Sequence, residues 1–218
     1  MTELTLVPKD EPILPVEIVA ILDRSGSMRS ILDDAIGGFN TFIEGQKSEE
    51  GEARITVALF DDQYELLQDG ANLTDAVVLD HKNFVPRGMT ALYDAIGKTV
   101  SRLKERRVNG EIDGAIITIL TDGHENASTE YTRASIKELI TECETNYGWT
   151  FIYLAANQDA FAVGGSLGIS AGNAMNFTAS AAGTETVFKD MGGYTRSYRT
   201  NYLNRNAGPL LDDGKDEQ

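Results

Sequence analysis

Apolar residues fall along this chain in two alternating rhythms. Short, nearly continuous apolar runs occur at 16–22 (VEIVAIL), 54–60 (RITVALF), 113–120 (DGAIITIL) and 149–155 (WTFIYLA), each of strand length and rich in β-branched residues. Between them, apolar positions recur every three or four residues. Ile31, Leu32, Ala35, Ile36, Phe39, Phe42 and Ile43 form one such stripe, and Leu92, Ala95, Ile96, Val100 and Leu103 form a second. A third helix is expected over 129–147, a short one over 159–170 and a last one over 179–191, with a short strand at 173–177. Residues 64–67 and 76–79 read as a hairpin around the turn signal Asp69-Gly70. Strands alternating with helices give an α/β fold with a mainly parallel sheet. Right-handed crossovers then place helices on both of its faces.

In such a sheet, functional groups gather beyond the carboxyl ends of the strands. Three segments that fall there are rich in oxygen. Asp23, Ser25 and Ser27 follow the first run in DRSGSM, Thr90 precedes the second helical stripe in RGMTALYDAI, and Asp122 follows the central run in TDGHEN. These donors suit a hard divalent cation, since Mg²⁺ takes oxygen ligands in octahedral array at about 2.0–2.1 Å. Serines two apart in an extended loop can turn both hydroxyls to one side. Neutral hydroxyls also quench less of a metal's charge than carboxylates do, which leaves the ion ready for one more anionic ligand. A helix cap would account for Asp23 and the serines, but it leaves Thr90 and Asp122 without a role.

This constellation resembles the von Willebrand factor A (vWA) domain with its metal-ion-dependent adhesion site. Asp-x-Ser-x-Ser is matched by Asp23, Ser25 and Ser27, the later-loop threonine by Thr90 within Gly-x-Thr-x-Leu, and the fourth-strand aspartate by Asp122 within Thr121-Asp122-Gly123. The resemblance covers roughly residues 15–191 and implies a stand-alone prokaryotic or phage-type member. It implies a Rossmann-like three-layer sandwich, with a mostly parallel central sheet, one antiparallel edge strand and helices on both faces. By the same resemblance, Ser25, Ser27 and Thr90 contact the metal through hydroxyls. Asp23 and Asp122 act largely through water, and Asp122 can become a direct ligand. The implied cofactor is Mg²⁺, with Mn²⁺ or Ca²⁺ as alternatives. The implied function is recognition of a protein whose Asp or Glu completes the coordination, without catalysis. Metal-dependent self-assembly and a metal-dependent hydrolase are the competing readings, the latter with His124 and Arg87 as its only candidate helpers.

Composition narrows the setting. Nineteen Lys and Arg against thirty-four Asp and Glu leave a net charge of −15, which argues against a phosphate backbone as the main partner. Cys143 is the only cysteine, no apolar stretch reaches the roughly 20 residues of a membrane span, and the first residues lack the basic-then-apolar order of a secretory signal. These features favour a cytoplasmic protein. The expected division is an N-terminal extension over 1–14, the domain over 15–191, and a C-terminal segment with an acidic tail over 192–218.

Other signals are weaker. Gly164-Gly165-Ser166-Leu167-Gly168 matches a nucleophile elbow, but both histidines, His81 and His124, precede it where a catalytic one must follow. Gly97-Lys98-Thr99 lacks the glycine five residues earlier that a phosphate-binding loop requires. Asp94 is expected in the first turn of its helix. His124, Glu125 and Asn126, beside Asp122, read either as lining the rim of the metal site or, for Glu125 and Asn126, as caps of the helix that follows them, the second reading being preferred. Asp61 and Asp62 read as solvated carboxylates. The stretch GGYTRSYRTNYLNR interleaves tyrosine and arginine, a pattern open to stacking on single-stranded nucleic acid or to docking on a partner or a second copy.

Overall fold

In the computed structural model, which describes residues 14–206, the first strand β1 (Val16–Asp23) is buried at every position. Its neighbours are β2 (Ala53–Phe60) and β4 (Ala115–Thr121), both parallel to it. Beyond β4 lie β5 (Thr150–Ala155) and the short β6 (Ala174–Asn176), also parallel; beyond β2 lies β3 (Tyr64–Asn72), antiparallel and at the edge. The order is β3-β2-β1-β4-β5-β6. A central strand covered by helices on both faces has no wet face, which is why β1 and β4 read as nearly continuous apolar runs.

Alternation along β1 splits the core in two. Ile18, Ala20 and Leu22 point to a layer built from α1 (Leu32–Lys47) and α5 (Ala181–Asn206), where Phe39, Phe42, Val187, Phe188 and Met191 pack. Val19 and Ile21 point the other way, to Leu92, Ile96 and Val100 of α2 (Leu92–Val108), Ile136 and Ile140 of α3 (Arg133–Tyr147), and Ala160 of α4 (Ala160–Ser166). The molecule is thus the expected three-layer α/β sandwich with one antiparallel edge strand.

Two expectations change. The hairpin between 64–67 and 76–79 does not form, because β3 pairs with β2 along its length instead. Its register shifts near Gly70, whose φ of +59° is a left-handed turn inside the strand. A side chain on Gly70 would collide with the Arg106 guanidinium, which crosses there to reach Glu17, fully buried in β1, at 2.9 Å.

The last helix does not stop near residue 191. It runs to Asn206, so the division expected between 191 and 192 falls inside α5. Within that extension Arg199 and Tyr202 are buried, Arg196 pairs with Glu49 at 2.5 Å, and the Tyr198 and Tyr202 rings stack with centroids 6.4 Å apart. Much of the Tyr/Arg pattern is therefore committed to packing within the fold. The acidic tail and the N-terminal extension, apart from residue 14, lie outside the described residues.

Candidate metal centre

Strand order reverses between β1 and β4, because the chain leaves β1 toward β2 on one side and enters β4 on the other. That crevice, at the carboxyl ends, is where an open α/β sheet binds ligands. Asp23 closes β1 there and is fully buried. Its Oδ1 accepts from the Ser25 N–H and its Oδ2 from the Thr121 hydroxyl, both at 2.6 Å. The chain then turns through a short 3₁₀ segment, Gly26–Ile31, anchored by the buried side chains of Met28 and Ile31. This turn brings Ser25 Oγ to 3.0 Å from Ser27 Oγ, and the Ser27 hydroxyl donates to Asp122 Oδ1 at 2.5 Å.

Thr90 enters from the loop before α2. A methyl group built on Gly123 would sit 2.9 Å from Thr90 Oγ1, 3.5 Å from Ser27 Oγ and 3.6 Å from Ser25 Oγ. Three hydroxyls from two distant loops therefore face one small volume beside the Asp122–Gly123 turn. Asp23, Ser25, Thr90 and Asp122 are buried, whereas Ser27 is exposed and marks the open side. All five residues singled out in the sequence are brought together.

Burial penalises the charge on both carboxylates. It pushes Asp23 up to about 6, against the pull of the Thr121 and Ser25 hydrogen bonds and with help from the nearby Asp122 charge. Burial likewise raises Asp122, opposed by the Ser27 hydrogen bond. A cation between the two would offset this cost.

Glu125 and Asn126, read also as rim residues, support the neighbouring loop; Thr121, Asn157 and Gln158 were not singled out for such a role in the sequence. Asn126 accepts from the Thr90 N–H at 2.8 Å and returns its own N–H to the Thr90 carbonyl at 3.0 Å. Glu125 accepts from the Tyr93 N–H at 3.0 Å and so caps α2, the helix before it. The helix after it is capped by Thr132 in a box with Ser135, so the expectation that Glu125 and Asn126 cap α3 is corrected. Asp94 does lie in the first turn of α2, and its carboxylate accepts from the N–H groups of Thr129, Glu130 and Tyr131 at 2.8–2.9 Å. Asn157, with a left-handed φ of 58°, and Gln158 donate to the carbonyls of Asp122 and Gly123.

Asp61 is a second correction. It is fully buried rather than solvated, and its Oδ2 takes Arg24 Nε at 3.0 Å and Arg87 Nε at 2.7 Å. Burial opposes its charge, but Arg87, the Gln63 N–H and Arg24 together hold its pKa below the ordinary carboxylate value. Asp62 beside it is exposed, as expected.

Residues 18–125 match the von Willebrand factor type A domain family. The matched stretch includes all five candidate ligands, and the fold is that of a vWA domain. Solved structures agree on the architecture. The vWF domain of the type V pili tip protein Mfa5 from Porphyromonas gingivalis superposes with a TM-score of 0.61 at 14% identity, over 86% of this chain and 97% of that one. Proximal thread matrix protein 1 from the mussel byssus, in a form with a zinc-occupied MIDAS motif, gives 0.58 at 14% identity, over 84% of this chain and 46% of that one. The manganese-loaded TRAP protein of Plasmodium vivax gives 0.50 at 20% identity, over 65% and 57%. The chain thus spans about half the length of the mussel and Plasmodium structures. At such identities these likenesses carry the vWA fold and nothing finer. No curated protein matches the sequence.

Proposed function

We propose that this vWA-like protein is a divalent-metal-binding interaction module that recognises a partner protein through the ion. The observation that carries the reading is the convergence of the Ser25, Ser27 and Thr90 hydroxyls between two buried carboxylates at the switch point of the sheet. Among the described residues no group of three or more His, Cys, Asp or Glu side chains gathers to hold a metal. The donor set of Ser25, Ser27 and Thr90 is hydroxyl-rich and hard, which suits Mg²⁺, with Mn²⁺ or Ca²⁺ able to substitute.

Ser25, Ser27 and Thr90 would hold the ion directly. Asp23, with both oxygens already committed to Ser25 and Thr121, contributes charge and fixes the loop. Asp122, whose one side-chain hydrogen bond among the described residues is from Ser27 to its Oδ1, is the carboxylate able to change partners. When bound, the ion supplies a positive, electrophilic contact for one further anionic oxygen. We take that oxygen to be an Asp or Glu of the partner. The open side at Ser27 gives such a group access. The hydrolase alternative has little support, since Arg87, one of its two candidate helpers, is tied to Asp61. No helix among the described residues is long and apolar enough to cross a membrane.

Calorimetric titration with Mg²⁺ and Mn²⁺ tests the reading. Ser25→Ala and Asp122→Ala should abolish binding while circular dichroism shows an intact fold, because both side chains sit on loops. Unchanged metal affinity in both variants would refute the site. The partner is then sought by comparing proteins recovered from a native lysate with Mg²⁺, with chelator, and with Asp23→Ala as bait; recovery indifferent to all three would refute metal-bridged recognition.

A further inference from the structure

The loops that carry the three hydroxyls belong to different parts of the chain, and something must hold them in register. At the end of β2, Asp61 does this with both its side chain and its main chain. Its Oδ2 takes Arg24 Nε at 3.0 Å and Arg87 Nε at 2.7 Å, while its Oδ1 takes the Gln63 N–H at 2.6 Å. Its carbonyl accepts from the N–H of Ala91, next to Thr90, at 2.8 Å. Arg24 lies between Asp23 and Ser25, and its carbonyl accepts from the Arg87 N–H at 2.9 Å. One buried carboxylate therefore clasps the loop of Ser25 and Ser27 to the loop of Thr90.

Charge gives this clasp a second effect. Arg24 is 4% exposed, a guanidinium enclosed by protein within one residue of two candidate ligands. A cation so placed opposes a divalent ion unless anions answer it. Asp61 answers both arginines, and Glu65 adds a contact of 2.6 Å to Arg24.

We infer that Asp61 is a positioning residue of the metal centre: without touching the ion, it aligns the Arg24 and Arg87 segments so that Ser25, Ser27 and Thr90 meet, and it neutralises the two guanidiniums beside them. The inference rests on the metal-binding reading above. Mn²⁺ is titrated calorimetrically into the full chain as wild type, Ser25→Ala, Asp61→Asn, Arg87→Met and the Asp61→Asn/Arg87→Met double variant, with dichroism and melting of each metal-free protein alongside.

Asp61→Asn should weaken Mn²⁺ binding at least tenfold while the metal-free protein stays folded. Arg87→Met should weaken it less, and the double variant should be no worse than Asp61→Asn, because the two residues act through one contact. A purely structural role would lower the melting temperature without this pattern in affinity. Wild-type affinity in Asp61→Asn, or losses that simply add in the double variant, would overturn the inference. If Asp61→Asn does not fold, Arg87→Met carries the test alone, since its half-exposed side chain can be removed without opening the core; wild-type affinity there overturns the inference. Wild type that binds no Mn²⁺ would refute the metal reading itself, an outcome distinct from the others because Ser25→Ala would then equal wild type.

Discussion

Gly123 shows how little room the site has. Its absent side chain leaves the volume that the Thr90, Ser27 and Ser25 hydroxyls face, and a methyl there would lie 2.9 Å from Thr90 Oγ1. Gly123→Ala should therefore reduce Mn²⁺ affinity at least tenfold, with a melting temperature close to wild type. Its backbone does not adopt a positive φ, so alanine adds no backbone strain, and the crowding falls on the Thr90 hydroxyl. Calorimetry and a thermal melt read the two effects separately, and undiminished affinity would show that the hydroxyls do not share this volume. The five candidate ligands were legible in sequence because they fall together at three strand ends in the order of the vWA adhesion-site pattern, although each residue type alone is ordinary there. Asp61 and the supporting role of Thr121 were not. A carboxylate after a strand or a hydroxyl at a strand's end gives no local sign of its tertiary partners, and theirs lie 26 and 98 residues away.

Between elements, the loop after β4 and the start of α2 satisfy each other's orphan N–H groups. Glu125 and Ser128 take the N–H groups of Tyr93 and Asp94, and Asp94 takes those of residues 129–131. Burial works against the Asp94 charge, but the three N–H donors outweigh it and hold its pKa below the ordinary carboxylate value. A depressed folded-state pKa means stabilisation that is present above the unfolded value, near 3.9, and that fades as pH falls toward the folded one. Asp94→Asn should cost about 2 kcal/mol near pH 7, the order of a hydrogen bond to a charged group. The gap from wild type should shrink below about pH 4. Urea melts at pH 7 and at pH 3.5 measure this, and a gap that does not change with pH would mean the charge is not what matters. The same scale explains the misread elements. Gly70 looked like a hairpin turn because a left-handed glycine inside a bulged strand has the same local signature. The last helix, expected to stop at 191, runs on through Gly192 and Gly193 although each costs roughly 1 kcal/mol in a helix interior. Neither signal contains the tertiary packing that overrode it.

Across the whole molecule, the candidate metal centre and the anchor of the last helix sit at opposite ends of the sheet. The candidate metal centre occupies the carboxyl ends, while α5 secures the other end through Arg199, which is 3% exposed. Its guanidinium donates to the Gln46 carbonyl at 2.6 Å and the Gly51 carbonyl at 2.7 Å, with longer contacts to the carbonyls of Glu49 and Glu50. These oxygens close α1 and the turn into β2; Gln46 is buried, Glu49 half-buried, and Glu50 and Gly51 exposed. Removing the guanidinium loses these charge-assisted hydrogen bonds and the packing of its buried stem, at a cost of about 3 kcal/mol. For a chain of this size that corresponds to a melting temperature roughly 6–12 °C lower. Arg199→Lys keeps the charge but loses the planar fork, and it should recover only part of the loss. Measured well below its melting point, Arg199→Ala should bind Mn²⁺ within about twofold of wild type, because additivity holds for sites this remote from each other. Scanning calorimetry with and without Mn²⁺ gives both quantities. A loss of metal affinity matching the loss of stability would show that α5 and the metal centre are coupled through the sheet, and the separation of the two ends would not stand.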